Sequence, residues 1–179
     1  MVMGNKALKQ RKTILWFGSN TNRKNWYLAK NIFQRLLTDY DDFFVKAIIK
    51  SENNKIFVNL KEYFPNSFNM IDFIPKSEFE EILKGADMIL STSFREVNST
   101  LILESLARGK PVFSSAFPGA LDTIHQDYLF KWNDSPDHIV NQLINKIGKS
   151  ELFTSSVVEQ YINQKRKAIS FLNCDYNDI

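Results

Sequence analysis

The chain has 179 residues, is 44% hydrophobic and 24% charged, and carries a formal net charge of +3. That size and balance suit one globular unit with a buried core. A charge this small and scattered argues against a nucleic-acid binder, which concentrates Lys and Arg on one face. The single cysteine, Cys174, cannot form an internal disulfide and has no spaced partners for a zinc set. Met1 to Arg11 is polar, and no apolar run approaches the roughly 20 residues that span a bilayer. A reducing, cytoplasmic setting is therefore expected.

Thr13 to Gly18 is a short apolar run ending in Gly and reads as a buried strand. Asn25 to Thr38 places Trp26, Leu28, Ala29, Ile32, Phe33 and Leu36 at helical spacing. Phe43 to Ile49 is a second strand, Lys55 to Phe64 a short crossover helix, and Met70 to Ile74 a third strand closed by Pro75. Ser77 is expected to cap the next helix, with Glu80 completing a capping box, and that helix runs to about Lys84. Asp87 to Ser91 reads as a fourth strand. Asn98 to Arg108 follows as a helix stopped by Gly109. Pro111 to Ser114 is a fifth strand, Gly119 to Ile124 a short helix, and Tyr128 to Phe130 a sixth strand. Ser135-Pro136 opens another helix, Ser as cap and Pro in the first turn. A last helix is expected over Ser156 to Leu172.

Strands alternating with helices predict an α/β fold: a Rossmann-like, doubly wound parallel sheet of about six strands, order 3-2-1-4-5-6, with helices on both faces. In such a sheet ligands bind beyond the C-terminal strand ends, where the strand order reverses. The loops Gly18 to Lys24 and Ser91 to Asn98 should meet there, each leading into a helix N-terminus suited to phosphate. The sequence has no G-x-G-x-x-G after the first strand, no phosphate-binding G-x-x-x-x-G-K-S/T and no H-E-x-x-H metal motif. A nicotinamide dinucleotide site, a P-loop and a zinc-protease site are thereby set aside. His125, His138 and Asp41-Asp42 read as structural or surface residues.

Glu96 and Glu104 are separated by seven residues, a spacing that means little alone. Around them stand Ser91, Ala107, Gly109-Lys110-Pro111-Val112, Ser115, Gly119 and Asp122, in order and without gaps. This stretch, Ser91 to Ile124, resembles the signature of glycosyltransferase family 4, retaining enzymes of the GT-B fold. Trp16-Phe17-Gly18 with Arg23-Lys24-Asn25 resembles the family's first strand and basic loop. The likeness covers about Thr13 to Ile147.

The resemblance implies a nucleotide diphosphate sugar as donor substrate, held without a cofactor or metal ion. It gives Glu104 the ribose hydroxyls, Glu96 the donor-sugar hydroxyls and Lys24 the diphosphate, so that Glu96 and Lys24 are the catalytic candidates. Asn98, Ser99 and Thr100 would cradle the diphosphate at the helix N-terminus, with Ser19, Asn20 and Arg23 contributing from the first loop. Base contacts would be largely backbone, near Phe73 to Lys76. Two departures stand out. Val97-Asn98-Ser99 replaces the frequent Gly-Phe-Gly after the first Glu, and Ser19 replaces the frequent Arg, leaving Arg23 as the substitute cation.

GT-B enzymes pair two Rossmann-like domains, so the chain is expected to comprise a linker or leader at 1–12, a nucleotide-sugar-binding domain at 13–150, and at 151–179 a helix packing back toward a partner domain. The missing partner would be an N-terminal acceptor-binding domain or subunit, without which the isolated domain should be inactive. Polysaccharide or glycoconjugate biosynthesis is the implied setting. Lys165-Arg166-Lys167 gives the last helix a basic face that suits peripheral contact with an anionic inner-membrane surface. Two alternatives stand beside this reading: a non-catalytic or split-enzyme subunit docking onto a separate acceptor-binding protein, and a GT-B-like sugar-nucleotide epimerase fragment.

Overall fold

In the computed structural model, residues 11–18, 22–49, 56–72, 74–96, 99–148, 158–160 and 162–163 are described. Six parallel strands form one sheet, in the order β3-β2-β1-β4-β5-β6. They are β1 (Lys12–Gly18), β2 (Phe43–Ile49), β3 (Phe68–Ile71), β4 (Met88–Ser91), β5 (Val112–Ser115) and β6 (Leu129–Phe130). The helices between and after them are α1 (Trp26–Asp39), α2 (Val58–Tyr63), α3 (Lys76–Lys84), α4 (Thr100–Ala107), α5 (Pro118–Leu121) and α6 (Pro136–Lys146). Right-handed crossovers running outward in opposite directions from the β1–β4 seam put helices on both faces. The order is the one the sequence pattern predicts.

The β1–β2–β3 half is held by aromatic packing. Trp16 of β1, Phe33 of α1, Phe57 just before α2 and Phe68 of β3 are all at least 98% buried. Their ring centroids lie 5.4 to 6.2 Å apart, within the favourable range for tilted, edge-on and stacked pairs. Gly18 belongs to the same arrangement. A Cβ there would fall 1.7 Å from the Trp16 ring, so only glycine lets the indole lie along the strand.

Three local readings need correction. The third strand starts at Phe68, two residues before the expected Met70. Phe68 is drawn in by the aromatic cluster and pairs with Val45, and the polar Asn69 beside it hid the strand. The capping box at Ser77 does not form. α3 begins at Lys76 with Pro75 at the N-cap, whose carbonyl accepts from the N–H groups of Glu78 and Phe79. Glu80 is instead engaged by Arg108, at 2.6 Å. The short helix expected over Gly119–Ile124 is α5, one residue earlier and ended by Leu121. By contrast, Ser135 caps α6 as expected, accepting from His138 N–H at 3.2 Å.

Of the last helix, residues 158–160 and 162–163 are helical, and Val158 is fully buried. The remainder of that expectation, with Lys165-Arg166-Lys167 and Cys174, lies outside the described residues. Among the described residues no helix is long and apolar enough to cross a membrane.

Candidate functional site

The β1–β4 seam is where the strand order reverses, and the sequence builds it from hydroxyls rather than large side chains. Ser91, Thr92 and Ser93 follow directly from the apolar run of β4, and all three are buried. Thr92 joins three parts of the molecule. Its Oγ1 accepts from the Trp16 indole Nε1–H at 3.0 Å and donates to the Lys24 carbonyl at 2.8 Å. Phe94 N–H donates to the Arg23 carbonyl at 2.9 Å. The carbonyl of Ser93 accepts from Ser115 Oγ at 2.5 Å, which extends the lacing to β5. The loop after β1 and the loop after β4 are thus one hydrogen-bonded unit, anchored on the aromatic core through Trp16.

Lys24 reaches this unit from a 3-10 turn, Asn22–Lys24. The next residue, Asn25, is buried and has φ 45°, the one positive-φ non-glycine among the described residues. Asn tolerates this left-handed conformation better than most residues. Its Oδ1 also accepts from Leu28 N–H at 3.3 Å, capping α1. That sharp reversal turns Lys24 toward β4, where its Nζ makes an ion pair with Glu96 Oε1. The two side chains are only 20% and 9% exposed. Ser93 Oγ lies 3.4 Å from the same carboxylate oxygen.

α4 starts beside this pair. Ser99 is its N-cap, with Oγ 3.5 Å from the Ile102 N–H. Thr100 and Leu101, in the first turn, have N–H groups that no earlier turn can accept from. Glu104 is four residues after Thr100 and so shares its helix face, its side chain leaning toward the N-terminus. Arg23 is exposed on the turn that carries Lys24. The structure therefore brings Arg23, Lys24 and Glu96 to the C-terminal edge of the sheet beside the start of α4 at Ser99 and Thr100, with Glu104 one turn further along that helix. Ser19, Asn20 and Asn98 lie outside the described residues, as does Phe73. Among the described residues no three His, Cys, Asp or Glu side chains gather as a metal-binding group.

Other parts of the signature serve the scaffold. Gly109 has φ 69° and ends α4 in a Schellman arrangement: its N–H donates to Leu106 O, and that of Lys110 to Ser105 O, both at 2.9 Å. Lys110 Nζ donates to the carbonyls of Lys84 and Ala86, at 2.5 and 2.9 Å, closing the C-terminal end of α3. Sequence reasoning missed Thr92 and Ser93. The signal was present: three successive hydroxyl residues at a strand end cannot be buried without partners.

Exposed aromatic and aliphatic residues stand on the loops and helix ends around the site. Phe94 and Trp132, 44% and 59% exposed, meet edge-on with centroids 5.9 Å apart. They follow the C-terminal ends of β4 and β6. Tyr27 at the start of α1 and Leu121 at the end of α5 are also exposed.

The family model described as Glycosyl transferases group 1 matches residues 4–167. No curated protein matches in sequence. Two solved structures share the fold. A crystal structure of an S. aureus TarM mutant in complex with fondaparinux, alpha-GlcNAc-glycerol and UDP is 16% identical with a TM-score of 0.71, and the alignment covers 96% of this chain and 36% of that one. A second crystal structure of TarM is 16% identical with a TM-score of 0.63, covering 88% of this chain and 36% of that one. The chain thus spans little more than a third of either.

Proposed function

The chain belongs to the glycosyl transferases group 1 family, and on that premise we propose that it is the donor-binding half of a retaining, metal-independent hexosyltransferase using a nucleotide diphosphate sugar. The observation that carries this reading is the Lys24–Glu96 pair, held across the β1–β4 switch point beside the N-terminus of α4. The diphosphate would lie over the N–H groups of Asn98, Ser99 and Thr100, with Lys24 against it. Arg23, exposed on the same turn, supplies a second cation, and Ser19 and Asn20 remain candidate donor-binding residues of that loop. Glu104 would accept from the ribose hydroxyls and Glu96 from the sugar.

In this arrangement Lys24 and the helix N-terminus stabilise the negative charge that grows on the departing nucleoside diphosphate. They are positioned before the reaction, so little reorganisation is needed. No resident cofactor enters this reading. The UDP in the TarM complex makes a uridine nucleotide the first donor class to try.

The acceptor belongs to a second domain or subunit apposed to the C-terminal edge of the sheet. The exposed Tyr27, Phe94, Leu121 and Trp132 favour this, because each follows the C-terminal end of a strand and together they give that edge an apolar rim. The same rim suits the second reading, a split-enzyme or non-catalytic subunit docking onto a separate acceptor-binding protein. By itself the chain should bind donor and complete no transfer. The setting we propose is polysaccharide or glycoconjugate synthesis on the cytoplasmic side, with peripheral contact at the inner membrane face.

Calorimetry with UDP, GDP, ADP and dTDP and their sugar forms tests the reading. One nucleotide series should bind, and Glu104→Ala should weaken it about 10- to 100-fold, the cost of hydrogen bonds to a charged acceptor. If no nucleotide binds at millimolar concentration and Glu104→Ala changes nothing, the donor reading is wrong.

A further inference from the structure

The two charged groups at the switch point face each other directly and neutralise one another. Lys24, the cation proposed to meet a diphosphate, is engaged by Glu96. Both side chains are largely shielded from water, where an ion pair resists separation more than at an open surface. An incoming anion therefore does not find a bare ammonium group.

We infer that Glu96 is the resident counter-ion of Lys24, and that its displacement makes the site discriminate a whole nucleotide sugar from a bare diphosphate. The inference rests on the donor-site reading above. When a diphosphate takes Lys24, the Glu96 carboxylate loses its partner and is left close to further negative charge. Among the described residues the other donor bonded to this carboxylate is Ser93 Oγ, whose 3.4 Å contact is too long and uncharged to replace an ammonium group. A sugar bearing hydroxyls supplies new donors to the released carboxylate. A nucleoside diphosphate or inorganic pyrophosphate does not. The affinity of a ligand is reduced by whatever contact it must first break, and only ligands that rebuild that contact recover it. The same asymmetry favours release of the nucleoside diphosphate after transfer, because Glu96 returns to Lys24.

The test is calorimetry of inorganic pyrophosphate and of UDP, GDP and ADP on the wild-type chain, Glu96→Gln, Lys24→Met and the double variant. Glu96→Gln should bind pyrophosphate and the preferred nucleotide about tenfold more tightly than wild type. The double variant should lose that gain. Adding the sugar should improve binding to wild type more than to Glu96→Gln. If the nucleotide binds wild type and Glu96→Gln equally, or the variant more weakly, the counter-ion role is overturned while the donor site stands. If nothing binds to any form, both readings fall. Should Glu96→Gln not fold, the 13C resonance of the Glu96 carboxylate in wild-type protein decides. A shift on saturation with pyrophosphate supports displacement, and an unmoved resonance at saturation contradicts it.

Discussion

The two halves of the sheet solve different problems with different residues. Around β1, β2 and β3 the interior is filled by Trp16, Phe33, Phe57 and Phe68, whose four rings pack directly on one another. Around the ends of β4 and β5 the buried residues include five hydroxyls, Ser91, Thr92, Ser93, Ser114 and Ser115, beside apolar neighbours such as Leu90 and Phe113. The aromatic half holds the chain folded through non-directional burial. The hydroxyl half gains little from burial, but each hydrogen bond fixes a direction. A site that must hold Lys24 and Glu96 in one geometry needs the second kind of interior.

Substitutions can break this division of labour one half at a time. The largest expected effect is in the aromatic half. Phe57→Ala removes a ring that touches three others and should lower stability by about 3–5 kcal/mol, measured by urea denaturation. Nucleotide affinity of the protein that remains folded should hardly change. Thr92→Val is intermediate, but it should act on both properties. It leaves the Trp16 Nε1–H and the Lys24 carbonyl without their partner and should cost about 1–3 kcal/mol for each group that water cannot reach. It should also weaken nucleotide binding, since the turn bearing Lys24 loses its tie to β4. The smallest effect is a control remote from the seam. Ser135→Ala deletes the α6 cap and should cost about 1 kcal/mol with nucleotide affinity unaltered. A Thr92→Val variant with full affinity would mean that the hydroxyl lacing does not position the site.

Strand order and the location of the switch point were legible in the sequence because they rest on apolar periodicity and on the alternation of strands with helices. Phe43–Ile49 was read to the residue, since its Phe, Val and Ile residues make a strongly strand-forming run that one lysine, Lys46, does not break. Errors arose where a tertiary contact outweighed a local signal. Phe68 joined the sheet because a ring cluster waited for it. Ser77 lost its cap because the Pro75 carbonyl started the helix earlier, and Glu80 found Arg108 across the fold. In the site, Lys24 and Glu96 could be named from the resemblance, but their mutual ion pair could not. It depends on the 3-10 turn and the left-handed Asn25, which bring together residues 72 positions apart. The signature itself proved mixed in purpose. Gly109 and Lys110 close helices, whereas Glu96 and Ser99 face the switch point.

The central claim is that the donor lies across the β1–β4 seam, and amide chemical-shift mapping tests it most directly. On titration with the nucleotide that calorimetry selects, the largest perturbations should fall at residues 22–25, 92–96 and 99–104. Resonances of β3 and of the C-terminal part of α6 should stay in place. Saturable shifts centred elsewhere, with Lys24, Glu96 and Thr100 unmoved, would contradict the account.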